Sequence, residues 1–563
     1  MRYVIVGGVA GGAGAAARLR RLDEKAEIIM LEKGEFISFA NCGLPYYLSG
    51  VISDKEDLLV QTPESFTARF NVDVRIFSEA LKIDGANKIV HIKDHKNELE
   101  YDLSYDELVL SPGANPIVPP MPIAKEMAVF TLRNLPDTYA IKDYLDINHP
   151  KTACVIGGGF IGLEVAENLK EAGLDVTIVE AGDHVMPNID KDMSYALNGH
   201  IRSKGVVLAT GKLASEILKE GVVLKDGGFV PCDMVILSIG VKPATDFLKD
   251  SGVQLGKRGE IIADEYLHTN VDGIWAVGDA ISVKHFVSGE TVVIPLASPA
   301  NKQARIVADN ICGRKVKYNG TQGTSIAKVF DMAVASTGLT EKDCIRLGID
   351  YHKSFSATNS HAGYYPNAKM MTVKLLYTKG EGKVLGGQIV GYDGVDKRID
   401  ILAVAIRAGM TVFDLHQLEL AYAPPFSSAK DPINMAGYVG ENVVLGQSKI
   451  STFEEVLAMG DEVIKLDVRN VAECARGMVP GFINIPLHEL RARYSELDKS
   501  KPVYIHCQSG LRAYVAERIL SNLGYNCYNI FGSWMWYTLW QADLKAEAAE
   551  NELTSNCARP ERN

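Results

Sequence analysis

The stretch "YVIVGGVAGGAGAAARLRRL" (residues 3–22) predicts the start of a dinucleotide-binding fold. Its first residues are typical of a buried strand, its glycines of a tight turn, and the rest of an amphipathic helix. A second strand, "EIIMLEK" (27–33), ends in Glu32, where a carboxylate can accept hydrogen bonds from a ribose. Because Val9 replaces the middle glycine of the usual motif, the flanking strands and helix carry the prediction. We call this nucleotide-binding turn, with its flanking strands and helix, the first cradle. The residues that we assign to it are Gly7, Gly8, Ala10, Gly11, Glu32 and Lys33.

The same pattern returns at "ACVIGGGFIGLEVAENL" (153–169), where the full G-x-G-x-x-G spacing is present. The next strand, "VTIVEAG" (176–182), again ends in an acid, Glu180. The amides at the start of each helix can hold a pyrophosphate. Two such units, each with its acid, imply two dinucleotides rather than two structural turns. The residues that we assign to the second cradle are Gly157, Gly159, Phe160, Ile161, Gly162, Glu164, Glu180 and Gly240.

The composition of the chain excludes several classes of protein. It has 563 residues, enough for several domains, and a net charge of -11, which argues against a nucleic-acid surface. We expect no membrane span, because no stretch has the roughly 18 uninterrupted apolar residues that one requires. The apolar N-terminus also fits a secretory signal, but the cradle motif explains it better. The nine cysteines have no paired spacing, so we expect a reducing, cytoplasmic environment and no disulfide scaffold. We also expect no metal site.

A third motif gives the chain a resemblance to a known family. In "TNVDGIWAVGDA" (269–280), Asp279 follows a strand, where it can contact the ribityl chain of a flavin or simply cap a helix. With "LVLSPGA" (108–114) and the two cradles, this motif resembles the two-dinucleotide flavoprotein disulfide reductases over about residues 1–440. The resemblance implies FAD in the first cradle, NAD(P)H in the second, and a third domain that forms a homodimer. The residues that it adds to the FAD site are Ser111, Gly113, Arg133, Asp279 and Ala297.

Glu180 bears on the choice of nicotinamide cofactor. A carboxylate that accepts from the ribose 2'-hydroxyl would repel a 2'-phosphate. The residues that follow it, "AGDH" (181–184), contain no arginine to hold that phosphate. We therefore expect NADH in preference to NADPH.

Cys42, in "SFANC" (38–42), is the candidate redox thiol. Most reductases that this chain resembles carry C-x4-C, but here the fifth residue after Cys42 is Tyr47. Without a partner cysteine, the oxidised thiol must form a sulfenic acid or a mixed disulfide with an external thiol. We expect a nearby helix N-terminus and the flavin to favour the thiolate. The alternative is a buried, unreactive cysteine.

Single-cysteine members of this family have two chemistries. Those that reduce peroxide or oxygen generally carry a histidine where this chain has Ala10, whereas "SFANC" resembles coenzyme A-disulfide reductase. That resemblance implies that Tyr364 and Tyr422 reach the sulfur from the partner subunit, although each could simply be packing. It also implies cations for the phosphates of coenzyme A, although exposed arginines are often only solvated. The residues that we assign to coenzyme A are Arg18, Arg21, Ser38, Asn41 and Gln61.

A second thiol lies near the end of the chain, in "KPVYIHCQSGLRAYVAERIL" (501–520). A buried strand brings Cys507 into a loop that ends at Arg512, and the loop amides can stabilise a thiolate or an anionic sulfur species. The C-x-x-G-x-R loop resembles a rhodanese domain over about residues 453–545; phosphatase loops usually run one residue longer. The other seven cysteines have no recognisable motif.

These features predict an α/β protein with two Rossmann-like domains for FAD and NAD, an α+β dimerisation domain and an α/β rhodanese domain. The predicted ranges are 1–149 with 245–322 for FAD, 150–244 for NAD(P)H, 323–440 for dimerisation, 441–452 for a non-helical linker, 453–545 for the rhodanese domain and 546–563 for a frayed tail. We expect an NADH-dependent enzyme that reduces coenzyme A disulfide, persulfide or polysulfide through Cys42, with Cys507 supplying sulfane sulfur and hydrogen sulfide released. The alternatives are an NADH oxidase or peroxidase with a passenger rhodanese domain, and a redox sensor or sulfur carrier without turnover.

Overall fold

The computed structural model describes residues 1–557, which form two compact units. The first contains Met1–Ala181 and Gly211–Gly323, and the second contains Gly182–Thr210 and Thr324–Leu553. Within residues 1–557, every helix is too short or too polar to cross a membrane.

The N-terminal region is built on a parallel sheet. The apolar strand β1 pairs with β2 on one side and β7 on the other, and β3 extends the sheet beyond β2. The elements of this region are β1 (Arg2–Val6), α1 (Ala10–Leu22), β2 (Glu27–Leu31), α2 (Leu44–Leu48), α3 (Pro63–Phe70), β3 (Asp73–Arg75), β4 (Ser78–Asp84), β5 (Ile89–Asp94), β6 (Leu99–Ser104), β7 (Glu107–Leu110), β8 (Ala114–Pro116), β9 (Ala128–Thr131) and α4 (Leu135–Asn148).

The second cradle has its own parallel strands, in the order β11-β10-β16-β9. This region contains β10 (Thr152–Ile156), α5 (Phe160–Glu171), β11 (Asp175–Glu180), α6 (Lys191–Ser203), β12 (Val207–Thr210), β13 (Ala214–Leu218), β14 (Gly221–Leu224), β15 (Phe229–Pro231), β16 (Met234–Leu237) and β17 (Val241–Pro243).

The chain then returns to the first sheet, where β19 pairs in parallel with β7. This segment contains β18 (Ile261–Ile262), β19 (Ile274–Ala276), β20 (Ile281–Lys284), β21 (Thr291–Val292) and α7 (Ala297–Ile311). Helix α7 packs against α1, and Gly14 allows this approach because a Cβ there would lie 3.0 Å from the Ala304 Cβ. The strand before Asp279 therefore belongs to the same sheet as the first cradle, as expected if the FAD domain is formed by two separate segments of the chain.

The third region is an antiparallel sheet in the order β22-β23-β26-β25-β24 with helices. It contains β22 (Ser325–Val329), β23 (Met332–Gly338), α8 (Glu341–Leu347), β24 (Tyr351–Asn359), β25 (Met370–Thr378), β26 (Val384–Gly391), α9 (Val395–Ala408), α10 (Val412–Leu415) and α11 (Pro432–Val444). Strand β26 is buried along its whole length, which makes it the centre of this core.

The C-terminal region is a parallel sheet in the order β27-β31-β30-β28-β29. It contains β27 (Ile450–Ser451), α12 (Phe453–Leu457), β28 (Ile464–Asp467), α13 (Val471–Cys474), β29 (Ile483–Asn484), α14 (Leu487–Arg493), β30 (Val503–His506), α15 (Leu511–Asn522), β31 (Cys527–Ile530) and α16 (Ser533–Asn556). Apolar residues of β28, β30 and α15, among them Leu466, Ile505 and Leu520, form its core.

The structure differs from the predicted linker and tail. Residues 441–444 are the last turn of α11, which Asp431 caps by accepting from the Ile433 amide. Residues 450–451 form β27, so regular structure occupies parts of the linker predicted at 441–452, and residues 445–449 lie outside helix and strand as expected. Helix α16 passes the predicted domain end at 545 and continues to Asn556. Residues 558–563 of the predicted tail lie outside the described residues.

Candidate active sites

The glycine turn of the first cradle has the geometry that a phosphate-binding turn needs. Gly7 has φ +100°, and a Cβ there would lie 2.0 Å from the Ser111 carbonyl oxygen, so only glycine fits. Glu32 accepts hydrogen bonds from the amides of Gly8 and Gly34, both at 2.9 Å. The carboxylate at the end of β2 is thus held beside the turn, as the sequence predicts.

Residues from distant parts of the chain meet at this turn. The Ser111 Oγ lies 2.5 Å and 3.6 Å from the positions that a Cβ would take on Gly11 and Gly278, so Asp279 is close to the glycine turn. Burial raises the pKa of the Asp279 carboxyl, and the charge of Arg133 opposes that shift. The Arg133 guanidinium in turn lies beside Gly113, 2.6 Å from where a Cβ would be. Ala297 opens α7, and Lys33 is exposed after β2. A backbone cradle without side chains, bordered by a carboxylate and a guanidinium, fits FAD.

The second cradle repeats this geometry. Gly157 has φ +111°, and a Cβ there would lie 2.3 Å from the Ser238 carbonyl oxygen. At Gly159, the residue before α5, a Cβ would meet no atom within 4 Å, which leaves open space where a phosphate can approach the helix amides. Glu180 accepts from the Gly158 amide at 2.6 Å. The arrangement fits a nicotinamide dinucleotide.

The remaining residues assigned to the second cradle lie around this turn. Phe160 and Ile161 form the first turn of α5, a Cβ on Gly162 would lie 1.9 Å from the Gly157 carbonyl oxygen, and Gly240 has φ +110°. Sequence reasoning missed Ser238, whose buried Oγ has no hydrogen-bond partner within residues 1–557. The signal was available, because Ser238 directly follows the buried strand "MVIL" (234–237).

Glu164 connects the second cradle with the first thiol. Burial, together with the charge of Glu167, raises the pKa of the Glu164 carboxyl to about 7. Burial raises the pKa values of Cys42 and Tyr46, and the Glu164 charge raises both further. The side chain predicted only to contact the nucleotide therefore also acts on the thiol.

Cys42 lies in a short 3-10 turn, Asn41–Gly43, that leads into α2. Its side chain is exposed. Ser38, at φ 45°, ties this segment to the first cradle because its amide donates to the Gly8 carbonyl oxygen at 2.8 Å. The expectation that the thiolate is favoured is not met by the protein's own groups. Burial raises the pKa of Cys42, and the charges of Glu164 and Asp279 raise it further.

The residues assigned to coenzyme A have different environments. Arg18 forms an ion pair with the buried Asp309 at 2.7 Å, so part of its guanidinium is already occupied, whereas Arg21 is exposed. The buried Asn41 Oδ1 has no hydrogen-bond partner in the described part of the chain. Gln61 accepts from the Ser65 hydroxyl near the surface.

Tyr364 and Tyr422, which lie 58 residues apart in sequence, meet in the structure. Their hydroxyl groups lie 2.9 Å apart, and this contact raises the pKa of Tyr364. Both rings are exposed, Tyr364 at 78% and Tyr422 at 48%, so neither packs into the core of its own chain.

The Cys507 loop joins β30 to α15, and its Sγ is nearly inaccessible, with the residue 1% exposed. The Gly510 amide donates to this Sγ at 3.1 Å, as expected of a loop that turns amides toward the thiol. Arg512, which we expected to act at the sulfur, forms a bidentate pair with Glu473 at 2.7 Å for both bonds. That pair, chiefly through its hydrogen bonds, lowers the pKa of Glu473 to about 2.

A buried polar network lies beside this loop. Asp467 and Arg469 form an ion pair at 2.7 Å, and both are almost fully buried. His506 lies 3.4 Å from Asp467, and burial lowers its pKa to about 4, so its ring is neutral at neutral pH. Cys474 also contacts Asp467, at 3.4 Å. Of the groups around this loop, the sequence analysis named only Arg512. Asp467 and Arg469 lie two residues apart in "DVR" (467–469), but that segment is distant in sequence from the Cys507 loop that it packs beside.

One cluster of acids resembles a metal site but already holds a cation. Asp190, Asp192 and Glu341 offer oxygen atoms close enough together to bind an ion. The buried ammonium group of Lys374 forms ion pairs with all three. These carboxylates therefore neutralise a lysine.

Three family models match the chain. They are "Pyridine nucleotide-disulphide oxidoreductase" at residues 1–304, the dimerisation domain of that family at 324–432, and "Rhodanese-like domain" at 452–539. In chain order, they cover the nucleotide-binding regions, the antiparallel sheet region and the C-terminal parallel sheet region.

Similar proteins agree with these matches. The coenzyme A disulfide reductase of Staphylococcus haemolyticus is 34% identical over 443 residues, which cover 78% of this chain and 98% of that protein. The crystal structure of reduced CoADR-RHD from Bacillus anthracis is 48% identical, with a TM-score of 0.94, covering 97% of this chain and 98% of that one. The structure of an NAD-dependent persulfide reductase from A. fulgidus is 35% identical, with a TM-score of 0.90, and the match covers 95% of this chain and 100% of that one. The chain therefore belongs to the pyridine nucleotide-disulphide oxidoreductase family, with that family's dimerisation domain and a rhodanese-like domain at its C-terminal end.

Proposed function

We propose that this protein is an NADH-dependent flavoenzyme that reduces coenzyme A disulfide and coenzyme A persulfide through Cys42. The observation that carries this proposal is the position of the exposed thiol. Cys42 lies in a segment that Ser38 ties to the first cradle, and the Glu164 charge from the second cradle acts on it. The match to coenzyme A disulfide reductases and to a persulfide reductase supports the same chemistry.

The two cradles hold the cofactors FAD and NADH. FAD bound in the first cradle would supply two-electron transfer from NADH to an oxidised Cys42. The FAD cradle consists of Gly7, Gly8, Gly11, Glu32, Arg133 and Asp279. The NADH cradle consists of Gly157, Gly159, Glu180 and Ser238. In the second cradle, Glu180 holds the adenine ribose and excludes a 2'-phosphate by charge repulsion.

The thiol step follows from a single cysteine. The Cys42 thiolate attacks one sulfur of coenzyme A disulfide, the S–S bond breaks, and coenzyme A thiolate leaves with the electron pair. The product is a mixed disulfide between Cys42 and the second coenzyme A. Two electrons and a proton then release the second thiol and restore Cys42. With coenzyme A persulfide, attack on the inner sulfur gives the same mixed disulfide and releases hydrosulfide.

The residues assigned to coenzyme A recognise the substrate. Arg21 and the free edge of Arg18 bind the phosphates of coenzyme A, and the orphan Oδ1 of Asn41 accepts a hydrogen bond from it. In a homodimer, the exposed Tyr364–Tyr422 pair of the partner supplies a phenolic proton to the departing thiolate. The partnered and exposed hydroxyls fit a role outside their own subunit.

Cys507 is the second nucleophile. Its thiolate takes a sulfane sulfur from a polysulfide, and the shortened polysulfide leaves with the electron pair of the broken S–S bond. The resulting persulfide is passed to coenzyme A or toward Cys42. The Gly510 amide, already 3.1 Å from Sγ, stabilises the anion in both steps.

A crossed pair of variants tests the proposal. Cys42→Ser should lose more than about 90% of the rate of coenzyme A disulfide reduction, which corresponds to an activation free energy raised by more than ~1.4 kcal/mol. NADH should still bleach the flavin in this variant. Cys507→Ser should keep that reduction and lose sulfur transfer from thiosulfate or polysulfide to an added thiol. Cys312→Ser, which changes a partly buried thiol elsewhere, is the control. Coenzyme A disulfide reduction at the wild-type rate in Cys42→Ser would remove Cys42 as the nucleophile.

A further inference from the structure

Ser533, the first residue of α16, makes two contacts with Cys507. Its Oγ accepts a hydrogen bond from the Cys507 amide at 3.1 Å and lies 3.8 Å from the Cys507 Sγ, within hydrogen-bonding range for sulfur. Because the oxygen already accepts from the amide, its own hydrogen is available for the sulfur. Ser533 is fully buried, with 0% of its surface exposed, so water does not compete for these bonds.

The backbone of Ser533 indicates that the hydroxyl is retained against a local cost. Ser533 has φ 55°, the left-handed region that glycine occupies without strain and that residues with a Cβ rarely occupy. The preceding residue, Gly532, is also left-handed, at φ 62°. A glycine at 533 would relieve the strain, so the serine must gain something from its side chain.

The first turn of α16 holds the Cys507 loop in register with Ser533. The amide of Trp534 donates to the Cys507 carbonyl oxygen at 2.9 Å, and that of Met535 donates to the Gln508 carbonyl oxygen at 3.0 Å. With the two contacts of Ser533, these bonds fix both the backbone and the sulfur of Cys507 from one helix end. The Gly510 amide, from the loop itself, also donates to the sulfur.

We infer that Ser533 is a positioning residue for sulfur transfer at Cys507, fixing the rotamer of its side chain and donating a hydrogen bond to its thiolate. This inference rests on the proposed function of Cys507. When an acceptor thiolate attacks the outer sulfur of the Cys507 persulfide, the bond from that sulfur to Sγ breaks and its electron pair returns to Sγ. The transfer needs no oxidant or reductant, and a donor aimed at Sγ stabilises the thiolate that forms in this step.

Other groups around Cys507 have partners of their own. Arg512 is paired with Glu473, and Arg469 with Asp467. His506 contacts Asp467, and Cys474 also lies against that carboxylate. Within residues 1–557, the hydrogen bonds that reach Sγ come from the Gly510 amide and the Ser533 hydroxyl, and of these two donors only the hydroxyl can be removed without altering the loop backbone.

Two substitutions in the full-length holoenzyme separate the hydroxyl from the backbone. Ser533→Gly removes the hydroxyl and relieves the strain at φ 55°, whereas Ser533→Ala removes the hydroxyl and keeps the strain. Thr538→Ala, which removes a hydroxyl bonded to Met535 in the same helix, is the matched control. The measurements are the pH profile of iodoacetamide alkylation at Cys507, read by mass spectrometry of its peptide, and the rate of sulfur transfer from thiosulfate.

Loss of a hydrogen bond to a charged sulfur should move the midpoint of the alkylation profile up by about one pH unit in both Ser533 variants. Sulfur transfer should fall about tenfold in both, with the KM for thiosulfate little changed, and Thr538→Ala should match the wild type. A midpoint unchanged in Ser533→Gly would overturn the inference, and so would a rhodanese domain that fails to fold in that variant. If the wild type showed no sulfur transfer, the proposed function of Cys507 would be refuted. The alkylation profiles would still test the role of Ser533, because alkylation does not require turnover.

Discussion

At the scale of single residues, Glu180 is the side chain on which cofactor choice depends. It ends β11, and its Oε2 accepts from the Gly158 amide at 2.6 Å, which fixes the carboxylate beside the glycine turn. A fixed charge discriminates better than a mobile one, because it cannot move away from a 2'-phosphate.

Replacing Glu180 with alanine should therefore weaken the preference for NADH over NADPH. We expect the ratio of kcat/KM for NADPH to that for NADH to rise at least about tenfold, or ~1.4 kcal/mol, because the repulsion is removed. Stopped-flow bleaching of the flavin by each cofactor measures it, with Asp183→Ala, an exposed acid of the following loop, as control. If wild type and variant gave the same ratio, Glu180 would not be the selector.

The sequence alone could identify the functional residues whose role depends on their neighbours in sequence. The glycine turns, Glu32, Glu180 and Cys42 are each read from a short motif with its flanking strand and helix. The partners that modify them come from elsewhere in the chain. Asp309 occupies part of Arg18, Glu164 raises the pKa of Cys42, and Ser533 reaches Cys507 from 26 residues away. No short motif contains those pairs.

At the scale of elements, the segment between α11 and β27 is anchored. Glu517 of α15 is buried, and it accepts from the Ser448 hydroxyl and, at 2.8 Å, from the Lys449 amide. The Lys449 ammonium group bonds to Asn526 at 2.9 Å. The sequence predicted coil here because Gly440 and Gly446 suggest breaks, but Gly440 is buried within α11, where a side chain would strike Val412.

Removing this anchor should expose the segment to protease. In Glu517→Ala we expect trypsin to cleave after Lys449 about tenfold faster than in wild type, because Ser448 and the Lys449 amide lose their acceptor. The cleavage rate is measured by mass spectrometry of the fragments. Glu496→Ala, which removes an exposed acid paired with Arg493, is the control. Equal cleavage in wild type and Glu517→Ala would mean that Glu517 does not hold the segment.

At the scale of the whole molecule, the order of the domains was predictable because each domain carries its own motif. Family matches at 1–304, 324–432 and 452–539 follow the predicted order of flavoprotein, dimerisation and rhodanese regions. The exact limits of the domains were harder to predict, since α16 continues past the predicted domain end at 545 and contacts another part of the chain. There, Arg202 of α6 pairs with Glu550 at 2.8 Å, beyond the predicted domain end.

In the proposed reaction, the electrons from NADH end on sulfur. The most direct measurement follows NADH, dissolved oxygen, coenzyme A thiol and sulfide together while the wild-type enzyme turns over. With coenzyme A disulfide, we predict one NADH oxidised for two thiols formed; with coenzyme A persulfide, one NADH for one thiol and one sulfide. In both cases oxygen should stay constant. NADH consumption that follows the loss of oxygen and leaves the disulfide intact would contradict the account and identify an oxidase.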